Sequence, residues 1–104
     1  MLIAARRARS HAAGIGWSDF ERDDVLQDAV AHQIQIVGEA AAQIQPSFRT
    51  MHPEIPWEKI IGTRHRIVHD YRRIRRDVLW QVVSESLPEL ISLLEPLVPP
   101  PADD

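Results

Sequence analysis

The chain of 104 residues has no cysteine, which excludes a disulfide framework, a thiolate-held metal centre and a cysteine nucleophile. It also has no long apolar run. Arg6 and Arg7 interrupt the first hydrophobic stretch too early for a secretory leader, and no segment approaches the ~20 apolar residues that span a bilayer. A cytoplasmic location with no membrane attachment is expected. Nowhere do apolar and polar residues alternate with the period of two that marks a strand. Gly14 and Gly16 are followed by no lysine of the kind a phosphate-binding loop requires. Ser18, Ser47 and Ser84 fall at expected helix ends without a nucleophile elbow or a paired base.

What remains fits one helical domain. An apolar share of 44% and a charged share of 26% exclude a disordered chain. The length suits a single core small enough that a partner subunit helps it. The expected domain covers residues 1–98, followed by a flexible proline-rich tail over 99–104. Net charge is −3, but it is unevenly spread. Between residues 64 and 76 six arginines face one aspartate, so this window carries +5 and the remainder −8. A local basic patch on an acidic protein suits an anionic ligand better than broad coating of nucleic acid, and its plainer reading is a solvated helix end.

The fold class expected is all-α, an up-and-down bundle of about four helices plus a short helical turn. Leu2 to about Ala13 is rich in helix-forming Ala, Leu and Arg. It starts without a capping residue, which predicts an upstream start or a frayed first turn. Ser18 to Glu21 reads as a capping box that opens a new helical turn. From about Asp24 to Gln45, Leu26, Val30, Ile34, Val37, Ala41 and Ile44 recur at spacings of three and four and define the longest helix. Gly38, Ala40, Ala41 and Ala42 make part of its surface small. Pro46, Pro53 and Pro56 bracket one helical turn at 47–51. The last helix, from about Asp77 to Leu97, carries Leu79, Val83, Leu87, Leu90 and Leu94 on one side. Pro88 lies within it, and Ser86 with Glu89 predicts a second capping box and a kink or restart.

The stretch 57–73 holds the anomaly. At about 100° per residue, Trp57, Ile60, Ile61, Ile67, Val68 and Tyr71 lie within roughly 60° of the direction in which Arg64 points. An arginine thus occupies the middle of an apolar stripe, where an unpaired guanidinium costs several kcal/mol. Glu39 is a candidate to meet it across a subunit boundary, although an exposed carboxylate is the simpler reading. His69 lies about 140° round from Arg64, on a polar flank with His65, Glu58 and Gly62. Gly62, lacking a side chain, would admit a close neighbour there.

His65 and His69 share one helical face, but two ligands are too few for a metal, Glu58 is about two turns away, and the surrounding arginines repel a cation. No metal and no cofactor are expected. Acid–base chemistry on a phosphodiester needs neither, because in RNA the 2′-hydroxyl is itself the nucleophile. Histidine exchanges a proton near neutrality, and arginine offers a planar fork matched to phosphate oxygens. One His and one Arg form half a ribonuclease site, and a twofold-related copy would supply the other half. Plainer alternatives stand beside these: His69 as an interface histidine, Arg64 as an ion-pair partner, Tyr71 as core, and the helix as a non-catalytic interaction module.

Gly38-Glu39-Ala40, Pro53-Glu54-Ile55-Pro56-Trp57, the Arg64, His69, Tyr71 pattern, Val78 to Trp80 and Leu87-Pro88-Glu89-Leu90 together resemble the HepT-like group of HEPN-domain ribonuclease toxins. The resemblance runs from about Leu2 to Leu97. It implies a helical homodimer that cuts RNA without metal, with Arg64 and His69 of both subunits in a composite site. His65, Arg66, Arg72 and Arg73 are the expected substrate-binding residues. It also implies a nucleotidyltransferase antitoxin as partner, which silences the toxin by adding AMP to the motif tyrosine, here Tyr71. One departure is His65, where the family commonly has asparagine.

Overall fold

The computed structural model describes residues 1–69 and 76–98, with the backbone alone for His69. Among the described residues seven α-helices follow one another: α1 (Leu2–His11), α2 (Trp17–Glu21), α3 (Asp24–Gln43), α4 (Pro46–Met51), α5 (Trp57–His69), α6 (Arg76–Gln81) and α7 (Leu87–Leu94). A π-helical turn, Val82–Ser86, joins α6 to α7, and a 3-10 turn, Glu95–Leu97, follows α7. Among the described residues there is no strand, and no helix is long and apolar enough to cross a membrane. The expected all-α architecture is observed. The expected tail over 99–104 lies outside the described residues.

The axis of the bundle is α3. Asp23 caps it, its carboxylate accepting from the Leu26 N–H at 3.0 Å, so one of the orphan donors of the first turn is satisfied. Val30, Ala31, Ile34, Val37, Gly38 and Ala41 are buried along it, the three-and-four spacing that lays one continuous stripe on a helix. Against α3 pack α1, whose Leu2, Ala4, Ala5 and Ala8 are buried, and α5, in the most extensive contact between helices among the described residues. The last helical run lies on α1 as well. Small residues on α1 let its backbone approach closely, and the three alanines and the leucine are 7% exposed or less.

Helix starts differ from expectation in detail. The N-cap of α2 is Gly16, with the Asp19 carboxylate accepting from the Gly16 N–H at 3.5 Å. This is the return half of a capping box, set two residues earlier than the Ser18 start. The chain turns before it at Gly14, whose φ of +76° a side chain would resist. The far end of α2 is closed by the Gln27 amide, which donates to the carbonyls of Phe20 and Glu21. The Arg76 guanidinium donates to Glu21 O at 3.1 Å and ties α6 to the same corner. Trp17, Phe20 and Trp80 fill it, with ring centroids 5.3 to 6.4 Å apart, within the range of favourable aromatic pairing.

The break at Pro88 takes another form than a second capping box. Ser86 has helical angles and its side chain caps nothing. Instead the helix widens: the Leu87 N–H reaches back five residues to Val82 O. Proline has no N–H to give to residue 84, and its ring strikes that carbonyl in a regular α-helix. A π-turn moves the carbonyl aside, so the run continues without a sharp stop. Leu79, Val83, Leu87, Leu90 and Leu94 all remain buried through it.

The entry to α5 is fixed by Trp57, 7% exposed, whose indole donates to His52 O at 3.0 Å. Ile55, 1% exposed, plugs the same turn. Pro56 stands just outside the helix, its carbonyl accepting from Ile60 N–H. Trp57→Phe removes the hydrogen bond while keeping most of the packing, and its expected cost in urea unfolding is about 1–2 kcal/mol. Trp57→Ala is expected to cost about 3–5 kcal/mol. Equal costs for the two would show that packing contributes nothing beyond the hydrogen bond.

Candidate active site

The helix α5 carries Arg64 where the apolar stripe predicts it, and α3 supplies the surface it lies on. A Cβ built at Gly38 would overlap the Cβ of Arg64, and would stand 3.0 Å from its Cγ and 3.2 Å from the carbonyl of Ile60. The root of the arginine is therefore pressed onto bare backbone of α3. Farther out, its Nε is enclosed and has no hydrogen-bond partner, while the residue as a whole is half-buried. A buried donor left unmade costs about 1–3 kcal/mol. Such atoms are rare in native proteins and call for an explanation.

Among the described residues no carboxylate pairs with it. Arg6 pairs with Glu95, Arg22 with Asp19 and His52 with Glu54, and none of these ion pairs involves Arg64. Glu39, next to Gly38, is exposed and does not meet Arg64 in this chain. The rest of the stripe divides. Trp57 and Ile67 are buried, Ile60 and Ile61 half-buried, and Val68 is 40% exposed. One edge of α5 thus faces the core and its other edge opens outward.

On the outward edge, His65 and Arg66 are exposed. His69 is the last residue of α5, about 7.5 Å along the axis and about 140° round from Arg64 by helix geometry. Its ring, together with Tyr71, Arg72 and Arg73, lies outside the described residues. Arg76, from the same basic window, is spent on the Glu21 carbonyl. Gly62 is not where close approach occurs, since a Cβ there would meet nothing within 4 Å. The glycine that admits a neighbour is Gly38, and the signal for it was the run of small residues on α3.

Between α3, α5 and α7 runs a mainly apolar cleft whose walls include Ile34, Val37, Ile60, Val82, Leu87 and Leu90 but not Arg64. At about 90 Å³ it is well below the ~300–1,000 Å³ of ordinary ligand sites, so it is a packing gap and not a nucleotide pocket. Among the described residues no three His, Asp or Glu side chains gather to hold a metal. What the geometry offers is an arginine anchored at its base and a histidine one and a half turns on, at the outward end of the same helix.

The family model for HepT-like ribonucleases, described as "Ribonuclease HepT-like", matches residues 1–97. The chain belongs to the HepT-like ribonuclease family. A Thermococcus cleftensis protein named "Probable ribonuclease HepT" is 37% identical over 83 residues, covering 80% of this chain and 76% of that one. A protein of Caldanaerobacter subterraneus subsp. tengcongensis, provisionally named an RNase, is 34% identical over 77 residues, 74% of this chain and 69% of its own. A third, from Methanocaldococcus jannaschii and named in the same provisional way, is 32% identical over 90 residues, 86% and 83% of the two chains. No solved structure matches the chain.

If the HepT-like chain keeps Arg64 at a cost to its fold, Arg64→Met, which retains the stem and removes the orphaned Nε, should be neutral or stabilising by about 1 kcal/mol. Urea unfolding measures this. A loss of stability beyond about 1 kcal/mol would show that the guanidinium holds the fold together.

Proposed function

We propose that this protein is a metal-independent endoribonuclease, the toxin of a toxin–antitoxin pair, whose site is shared between two copies. The observation that carries the reading is the half-buried Arg64 with its unpartnered Nε, five residues before His69, in a chain matched to a ribonuclease family over residues 1–97. A helix that spends stability on an unpaired arginine in its apolar stripe is built for a ligand of opposite charge.

The chemistry follows from the groups. A His69 imidazole takes the proton of the RNA 2′-hydroxyl, and the 2′-oxygen attacks the adjacent phosphorus. Arg64 donates to the non-bridging oxygens as negative charge builds on them. The bond to the 5′-oxygen breaks, and a second histidine gives that oxygen a proton, leaving a 2′,3′-cyclic phosphate and a 5′-hydroxyl. One α5 cannot present two histidines at this position to one phosphate. A twofold-related copy supplies the second, which is why the site needs a homodimer.

His65, Arg66, Arg72 and Arg73 hold the flanking phosphates in this reading. Tyr71, two residues beyond His69, is where a nucleotidyltransferase antitoxin adds AMP. The added phosphate places negative charge in the cleft and the nucleoside fills it, so RNA is excluded by repulsion and by volume.

Purified protein is expected to cut single-stranded RNA in EDTA, with His69→Ala and Arg64→Ala each lowering the rate by about 10²-fold or more. Cleavage that persists in His69→Ala removes that histidine from the mechanism. The second reading, a non-catalytic module that binds a nucleotidyltransferase or nucleic acid, rests on the basic window. It predicts RNA binding without turnover, weakened more by Arg72→Ala with Arg73→Ala than by His69→Ala. Incubation with ATP and the partner nucleotidyltransferase should add about 329 Da per AMP to the wild type and none to Tyr71→Phe, read by mass spectrometry.

A further inference from the structure

We propose that Gly38 is a positioning residue for Arg64: by lacking a Cβ it lets the root of the arginine lie on the backbone of α3, and so sets where the guanidinium stands. The inference rests on the ribonuclease reading for its catalytic consequence, and on the packing alone for its geometric one. Gly38 lies in the interior of a 20-residue helix, where glycine is the least favourable residue after proline. Nothing about the backbone there requires it, since Gly14 alone among the glycines has a positive φ. The explanation lies across the interface. A Cβ at residue 38 would overlap Arg64 Cβ and crowd Arg64 Cγ and Ile60 O, at 3.0 and 3.2 Å.

Those neighbours do not yield cheaply. Arg64 Cβ and the Ile60 carbonyl are fixed to the α5 backbone, so a methyl group at 38 moves either the helix or the direction in which the arginine leaves it. Both shift the guanidinium. Displacement of a reacting group by about 1 Å can cost 10²-fold in rate, whereas loss of packing alone lowers the folded fraction and leaves the folded molecules as active as before. The enclosed Nε follows directly on this pinned stem, so a shift at Cβ and Cγ carries the Nε with it and changes its access to water.

Two measurements on the full-length chain separate these roles. In Gly38→Ala, kcat for RNA cleavage should fall at least tenfold with KM within twofold of wild type, under conditions where both proteins are fully folded. An unchanged kcat, or a rise in KM alone, overturns the proposal. Independently of activity, the Arg64 Nε–H resonance, assigned by its loss in Arg64→Lys, should exchange with water at least tenfold faster in Gly38→Ala; an equal exchange rate overturns the proposal as well. If the wild type cuts no RNA, the ribonuclease reading falls and the exchange measurement still decides the positioning claim. If Gly38→Ala does not fold, Gly38→Ala with Arg64→Gly removes the overlap and should regain a cooperative melt; failure to do so shows that Gly38 serves something other than Arg64.

Discussion

The contact on which the molecule depends is the close seating of α5 on α3, where the first carbons of a charged side chain touch bare peptide backbone. An interface between helices ordinarily fills with apolar side chains that interlock at 8–10 Å between axes. Here one ridge is an arginine stem and its groove is a glycine. The aliphatic part of arginine serves as core while its head remains polar. A side chain that begins in the core and ends outside it can hold a charge steady in a way that a surface arginine cannot.

The surrounding elements hold that seat in place. Trp57 and Ile55 fix the angle at which α5 enters, through burial and through the indole bond to His52 O. α1 packs on α3 and on the last helical run, which holds α3 in place. The π-turn at Val82–Ser86 lets Pro88 stand in a helix that otherwise stays in register, and keeps the leucines beyond it in the core. The corner of Trp17, Phe20 and Trp80 is sealed by Arg76. None of these groups belongs to the proposed chemistry, yet each removes a direction in which α5 could move.

Much of this was legible from residue spacing. The stripe from Val30 to Ala41 and the one from Leu79 to Leu94 are buried as their periodicity implies, because burial of a helix face is what three-and-four spacing records. Arg64 stood out for the complementary reason, a charge placed where the period demands an apolar residue. Less legible was anything decided by a partner. Whether Gly38 or Gly62 admits a neighbour depends on which face of each helix meets the other, and spacing within one helix cannot say. The Ser86 start failed similarly: the motif was present, but a widened turn was a cheaper answer to Pro88 than ending the helix. At α2 the box sits two residues earlier than the Ser18 and Glu21 spacing implied, since Asp19 returns to Gly16.

The charge distribution gives the proposed site its last element. The window 64–76 carries +5 and the rest of the chain −8, so a polyanion is repelled by most of the chain and attracted to the segment that starts at Arg64. Such a field favours one approach without raising affinity everywhere, which suits an enzyme that must release what it cuts. It also bears on the proposed pairing of two copies. Bringing two basic α5 helices together is unfavourable by itself, and a phosphate chain laid between them neutralises both. In the proposed composite site the substrate would therefore act as a counter-charge holding the halves together, and Arg64 of each copy would find in it the partner that the described residues do not supply.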